Sequence, residues 1–364
     1  MAGVYVSYPF CDQKCTYCNF ASGVPPAGLE SEYIDAVAAE IAAHRWQWSP
    51  ETVYLGGGTP SRIPVEQLAR LLDAIPGRPW REATIEVAPG TVTPGKAQAW
   101  KRAGITRASL GVQSFVSREL ARTGRKHTSK TVARDAEQLR AAGIDRINID
   151  LIAGLPFQNE ASWRESLDWV GRLEVGHVSV YMLEVDEDSR LGLEILNGGG
   201  RYGARDIPDD DRIASFYQQA VEYLHGIGLR RYEISNFARP GFESLHNLKY
   251  WRLEPYIGFG ADAHSFDGKT RRRNVEGAGE YVDRIRRGLD SCAAETPAEL
   301  SEERFFVGLR LEEGIRPASS ELARFAEPIR RFLDDGLLAM EDGLLRLTNR
   351  GVLLSNEVFQ EFLT

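Results

Sequence analysis

Three cysteines fall within eight residues, Cys11-x-x-x-Cys15-x-x-Cys18, with Pro9, Phe10, Tyr17 and Phe20 around them. Thiolate is the usual protein ligand of iron–sulfur clusters, and three thiolates in one short loop suit three corners of a four-iron cubane. One iron is then left without a protein ligand, which is the open position a reactive metal needs. Structural zinc normally takes four closed ligands. Zinc would have to recruit a histidine or the distant Cys292, and no second Cys-x-x-Cys or His-x-x-x-His supplies them. Inert clustered thiols are the plain alternative. Aromatic flanks and a position directly after a β-type run count against it.

Further polar groups recur at the ends of apolar runs. Gly56-Gly57-Gly58-Thr59-Pro60-Ser61 can bring backbone N–H groups close to an anion, although the Gly-Lys-Ser ending of a phosphate loop is missing. A tight turn is the simpler reading. Glu86 closes the run before Val87-Ala88-Pro89, and Gln113 sits in Gly111-Val112-Gln113-Ser114-Phe115. Asp150 stands late in the apolar Ile147–Ile152. An unpaired carboxylate there would be costly. One such group is ordinary as a cap or a core pair, but three on consecutive strands share one mouth.

The elements that must hold these residues alternate in type. Strand-like runs at Val4–Tyr8, Thr52–Leu55, Thr84–Val87, Arg107–Leu110, Arg146–Leu151 and His177–Leu183 are separated by apolar residues at helical spacing. Six βα units of this kind build either an open doubly wound sheet or an incomplete barrel. In parallel barrels the functional groups collect at the C-terminal ends of the strands. Gly198–Asp211 reads as a loop before a helix starting near Arg212. The last part reads as helices over Glu299–Leu311 and Ser319–Asp335, a hairpin over Leu338–Met340 and Leu344–Leu347, and a final helix over Val352–Phe362. This is a winged-helix-like module, and its acidity favours packing or docking over DNA binding.

The chain has 364 residues, 44 basic and 52 acidic, for a formal charge of −8. That balance argues against a broad nucleic-acid surface, which needs a basic footprint. No apolar run reaches the roughly 18–20 residues of a membrane span, and the first residues lack the pattern of a signal peptide. The expectation is a cytoplasmic protein without a transmembrane segment, in a compartment where clustered thiols stay reduced.

Cys-x3-Cys-x2-Cys resembles the signature of the radical S-adenosylmethionine (SAM) superfamily. In that superfamily the amino and carboxylate groups of SAM chelate the open iron, and reductive cleavage yields a 5′-deoxyadenosyl radical. Within it, Tyr5-x5-Cys11, Gly56–Ser61, Ile85-Glu86-Val87-x-Pro89, Gly111–Phe115, Arg125 and Asp150-Leu151-Ile152-x-Gly154-Leu155-Pro156 resemble the oxygen-independent coproporphyrinogen III dehydrogenase group, which includes haem chaperones of the HemW type. The resemblance extends through Tyr181 and the Tyr250-Trp251 region to the C-terminal module. It implies an α/β fold: a partial (β/α)6 TIM-like barrel with its extension over 1–288 and a small winged-helix-like α+β domain over 289–364. It also implies a [4Fe-4S] cluster on Cys11, Cys15 and Cys18, with Tyr17 beside it. Gly57, Gly58 and Thr59 would meet the methionyl end of SAM, and Tyr5, Glu86, Gln113, Arg125 and Asp150 would line its pocket.

Two departures separate this chain from the dehydrogenases, which decarboxylate the propionates of coproporphyrinogen. They carry a further cysteine two residues beyond the third ligand, where this chain has Phe20, and they have an extension before the cluster motif. His246-Asn247-Leu248-Lys249-Tyr250-Trp251 matches the His-Asn-x-x-Tyr-Trp motif of the haem-chaperone branch, and imidazole is a common axial ligand of haem iron. His264, in Gly258-Phe259-Gly260-Ala261-Asp262-Ala263-His264, is a second candidate, in a loop expected near the adenosine. Arg271-Arg272-Arg273 suits porphyrin propionates as well as it suits a solvated basic turn. Cys292 reads as a small packed residue. The resemblance thus implies haem as cargo, haem-receiving proteins as partners and an electron donor if radical chemistry occurs, with room for peripheral membrane contact. Dehydrogenase or methyltransferase chemistry is the competing reading.

Overall fold

The computed structural model describes residues 2–363. It opens with strand β1 (Ala2–Tyr8) and the cysteine loop, then helix α1 (Leu29–Ala43), β2 (Pro50–Gly57), α2 (Val65–Asp73), β3 (Glu82–Val87), α3 (Pro94–Arg102) and β4 (Arg107–Gln113). Helices α4 (Ser117–Thr123) and α5 (Ser129–Ala141) lead to β5 (Arg146–Ala153), α6 (Glu160–Leu173) and β6 (His177–Met182). The chain continues through α7 (Arg190–Leu196), a 3-10 turn over Arg201–Asp206, α8 (Asp210–Gly226), β7 (Arg230–Arg231), β8 (Asn236–Ala238) and α9 (Leu245–Trp251). After these come β9 (Tyr256–Phe259), β10 (His264–Phe266), β11 (Thr270–Asn274), α10 (Ala278–Arg286) and β12 (Cys292–Pro297).

These twelve strands form one sheet in the order β12-β11-β10-β9-β1-β2-β3-β4-β5-β6-β8-β7, and β1 to β6 pair in parallel. The strictly sequential order of β1 to β6 decides between the two expected architectures. A doubly wound sheet reverses its strand order at a switch point, whereas this sheet curls in one direction as a partial barrel. Beyond the sixth unit it is extended by short strands. β9 pairs in parallel with β1, and β8 is antiparallel to β6.

The two-residue period of the strands sorts their side chains. Val53, Leu55, Ile85, Val87, Ala108, Leu110, Ile147, Ile149, Val178 and Val180 are buried in the continuous apolar core. The intervening residues are largely polar: Thr52, Tyr54, Glu82, Glu86, Arg107, Ser109, Asn148, Asp150, His177 and Ser179. These bond to one another across strands. Asn148 Nδ2 donates to Ser109 Oγ at 2.7 Å, Asp150 Oδ1 at 2.7 Å and Ser179 Oγ at 3.1 Å, and its amide oxygen meets His177 Nδ1 at 2.6 Å. Burial of polar side chains is tolerated here because they supply each other's partners.

The last quarter contains α11 (Leu300–Gly308), α12 (Ser319–Arg324), α13 (Ala326–Asp334), the β13–β14 hairpin (Leu338–Glu341, Leu344–Leu347), α14 (Asn349–Leu353) and α15 (Ser355–Gln360). The expected Ser319–Asp335 and Val352–Phe362 helices are each interrupted, at Phe325 and Leu354, whose backbones leave the helical region. β12, which pairs with β11 in the large sheet, lies on the C-terminal side of the expected 288/289 boundary. Residues 310–312 reach back to the β7–β8 edge: Ile234 N–H donates to Arg310 O at 3.0 Å and Glu312 N–H to Tyr232 O at 3.0 Å. No helix among the described residues is long and apolar enough to cross a membrane.

Candidate functional site at the open end of the barrel

β1 delivers the chain to the mouth, where Cys11 N–H donates to Gly23 O at 3.0 Å and ties the two ends of the cysteine loop together. The middle of the loop is held by its neighbours. Thr16 N–H donates to Thr123 O at the end of α4, and Thr16 O accepts from Leu191 N–H at 2.8 Å in α7. Asp12, the one carboxylate among residues 10–20, is drawn aside by Arg62. Cys11 is buried, while Cys15 and Cys18 are half-buried. Burial raises the Cys11 thiol above its ordinary pKa, and the nearby Cys18 and Cys15 raise it further. Among the described residues no three His, Cys, Asp or Glu side chains are gathered closely enough to hold a metal ion. The donor set is nevertheless three soft thiols with no competing hard ligand, which fits iron–sulfur or zinc chemistry and not a hard cation.

The triple glycine packs against this loop. A Cβ on Gly58 would stand 2.5 Å from Phe10 O, and Gly58 N–H donates to Tyr8 O at 2.7 Å. Gly57, at φ 113°, donates its N–H to Glu86 Oε2 at 3.0 Å. Both amides are therefore spent inside the protein and are not free for an anion; the glycines serve close approach instead. Thr59 starts the 3-10 turn Pro60–Arg62.

Glu86 Oε1 also accepts from Tyr54 OH at 3.0 Å. Its carboxyl is pushed up to about 7, first by burial and then by the charge of Asp150. Asp150 is raised chiefly by burial too, despite its bonds from Asn148 and Ser109. Two coupled carboxyls with raised pKa values in one barrel suit recognition of a cationic ligand.

A second group lies beside Cys15. Arg125 Nη1 donates to Gly111 O at 2.9 Å, while Arg125 Nε and the Tyr17 hydroxyl are buried without a hydrogen-bond partner. Burial opposes the Arg125 charge, but Tyr17 and Cys15 outweigh it and raise its pKa. Gln113 adopts φ 69° at the end of β4, a conformation costly for a residue with a side chain, and its amide lies beside Gly111 and Arg125. A buried hydroxyl and guanidinium N–H next to a thiol loop are donors that a bound ligand could satisfy.

A cavity of about 430 Å³ opens at this mouth, lined by Tyr5, Ser7, Pro9, Asn19–Ser22, Gly57, Glu86, Asp262, Arg273 and Glu276. Tyr5, Gly57 and Glu86 were expected at the site, and Asp262 belongs to the loop expected near the adenosine; Ser7 and Glu276 were not expected. Alternation along β1 places Ser7 on the face of Tyr5, a signal present in the sequence, whereas Glu276 arrives in the loop after β11, a strand the sequence did not show. An adjoining cavity of about 550 Å³ shares Pro9, Asn19–Ser22 and Glu276 and continues to Lys14, Val24 and Leu29. The arginine triplet divides. Arg271 is held by Glu303 and Tyr256, and Arg272 by Asp290 and Glu295. Arg273 alone faces the cavity.

His246 is not at the mouth. It is fully buried near the N-terminal ends of β1 and β2, with Nδ1 2.8 Å from Thr52 Oγ1 and Nε2 2.8 Å from Tyr250 OH. Its ring stacks on Tyr54 at 5.3 Å, and burial, then Lys249 and Arg107, lower its pKa to about 3. Both nitrogens are occupied, so this conformation offers no lone pair to haem iron. Residues 5–170 match the radical SAM superfamily and residues 296–354 match the HemN C-terminal domain. Over the whole chain and 99% of its own length, the Bacillus subtilis haem chaperone HemW is 34% identical; the Escherichia coli HemW is 31% identical over 99% of this chain and 97% of its own.

The chain belongs to the HemW family of radical SAM proteins. The fold agrees with this membership: the structure of the coproporphyrinogen III oxidase HemN from Escherichia coli superposes with a TM-score of 0.84 over 99% of this chain and 89% of that one, at 21% identity. The barrel of this HemW-family chain brings its cysteine loop and its strand-end polar groups to the same opening. His246 sits at the opposite end.

Proposed function

We propose that this protein is a haem carrier that binds a [4Fe-4S] cluster through Cys11, Cys15 and Cys18, binds SAM in the mouth, and delivers haem to haem-requiring proteins in the cytoplasm. The observation that carries the reading is the full-length match to curated haem chaperones, with no segment of the chain left over. Phe20 supports it. This residue stands where the dehydrogenases have a further cysteine, and its ring is 65% exposed beside the mouth cavities.

The cluster with SAM would supply one-electron reductive chemistry when bound. Around it, Tyr17 and Arg125 offer a hydroxyl and a guanidinium donor, Glu86 and Asp150 accept from a cationic amine, and Tyr5 walls the cavity. The same intact set favours a second reading, oxidative decarboxylation of a porphyrinogen, which needs an outside electron donor for the cleavage of SAM and an electron acceptor for the substrate radical as carbon dioxide leaves. Anaerobically reconstituted protein should bind haem and release no carbon dioxide from coproporphyrinogen. Vinyl-product formation in that assay would replace the carrier reading with the enzymatic one. Alanine at any of the three cysteines should abolish four-iron loading; retained cluster spectra would refute the ligand assignment.

A further inference from the structure

With His246 sealed, an iron porphyrin needs another ligand. The antiparallel pairing of β10 with β11 sets His264 directly opposite Arg273, so the two side chains leave the same face of the sheet about 5 Å apart at Cβ. Both residues are exposed, and neither forms a hydrogen bond or ion pair among the described residues. Arg273 lines the mouth cavity, as does Asp262, two residues before His264. The cavity also holds the carboxylates of Glu86, Asp262 and Glu276, and none of them pairs with Arg273.

The backbone beneath this couple is fixed from one point. Glu40 on α1 accepts from Gly260 N–H at 2.9 Å, just before His264, and from Asn274 Nδ2 at 3.2 Å, just after Arg273. Tyr281 OH at 2.6 Å and Ser291 Oγ at 2.5 Å complete the carboxylate's partners. Asn274 N–H donates to Ala263 O at 3.0 Å, and Ala261 N–H to Tyr33 OH at 2.8 Å. Such support preorganises the two side chains for a ligand. Partial screening of the His264 ring lowers its pKa; Asp262 opposes this, and Arg273 and Arg271 reinforce it. A neutral imidazole is the form that ligates a metal.

We propose that His264 and Arg273 form the haem-docking couple of this protein, with the imidazole as axial ligand to the iron and the guanidinium holding a propionate. The exposed Phe20 ring supplies an apolar wall for the macrocycle across the shared cavity. The inference rests on the carrier reading above and names its site.

The test titrates the full-length wild type, His264→Ala and Arg273→Ala with haemin, with iron-free protoporphyrin and with haemin dimethyl ester, following the Soret band. His264→Ala should weaken haemin binding roughly tenfold to a hundredfold and shift its Soret band, yet leave iron-free protoporphyrin unchanged. Arg273→Ala should weaken both free-acid porphyrins by a similar factor and leave the dimethyl ester unaffected. Both residues are exposed, so far-ultraviolet circular dichroism should show native folding in each variant. Wild-type affinity and spectra in both variants would overturn this site and leave the carrier reading standing. Absence of haemin binding by the wild type would overturn the carrier reading and this site with it.

Discussion

Glu86 gives a quantitative handle on the barrel interior. Its carboxyl rises from 4.5 to about 7, through burial first and the Asp150 charge second. Below pH 4.5 the group is protonated in both the folded and unfolded chain, and the fold keeps its full stability. Between 4.5 and about 7 the unfolded chain ionises while the folded one retains its proton, so stability falls by about 1.4 kcal/mol per pH unit. Above 7 the loss is complete, at about 2–3 kcal/mol once contact with the open cavity is allowed for. Glu86→Gln removes the ionisation and keeps the shape. It also turns an amide N–H₂ toward either Tyr54 OH or Gly57 N–H, a constant cost of about 1 kcal/mol. Urea denaturation from pH 4.5 to 8.5 should therefore show the variant less stable at the acid end, with the difference shrinking and then reversing as pH rises. Asp150→Asn should move the wild-type fall to lower pH. Stability curves of wild type and Glu86→Gln that stay parallel across this range would refute the argument.

Three further outcomes follow from the same geometry. His246→Ala deletes a buried ring and strands Thr52 and Tyr250, so it should cost about 3 kcal/mol in urea denaturation while leaving haem affinity of the folded fraction intact. Loss of haem binding without loss of stability would restore His246 as a ligand. Glu40→Ala leaves four donors around one buried carboxylate site without their acceptor and should destabilise by about 3–5 kcal/mol, with Glu40→Gln recovering part of it; equal stability of Glu40→Ala and wild type would contradict the anchoring role. Gly58→Ala drives a Cβ into Phe10 O and should displace the cysteine loop at a local cost of about 1–3 kcal/mol, lowering iron bound per chain after reconstitution while the far-ultraviolet circular dichroism is kept; unchanged iron content would show that the loop tolerates the shift.

The six-unit barrel was legible because each strand carries apolar residues on the helix-facing side, and the cysteine spacing marked the mouth independently of any contact. The alternation even encoded the polar interior, since Thr84, Glu86, Ser109, Asn148 and Asp150 occupy the opposite parity. What escaped was the sheet extension. Thr270–Asn274 is charge-rich, Arg230–Arg231 has two residues, and Cys292–Pro297 is an exposed edge, so none shows apolar alternation. His246 misled for a related reason. Its motif is visible locally, but its partner Thr52 lies 194 residues away, and only the folded barrel shows that both ring nitrogens are taken. The arginine triplet likewise reads as one patch until strand parity and the positions of Glu303, Asp290 and Glu295 divide it.

The pairing of residues 310–312 with the β7–β8 edge has a consequence for biosynthesis. A chain made from its N-terminus presents the cysteine loop first, with α4 and α7 made later to hold it. The backbone partners of Tyr232 and Ile234, at residues 310–312, are made about eighty residues after them. Until they arrive, the antiparallel flank of the sheet keeps unpaired backbone groups, and the contacts that close it join residues 76 to 80 positions apart, which is non-local pairing of the kind that forms slowly. The flank therefore closes only once residues 310–312 have been made, well after the cysteine loop and the two helices that hold it.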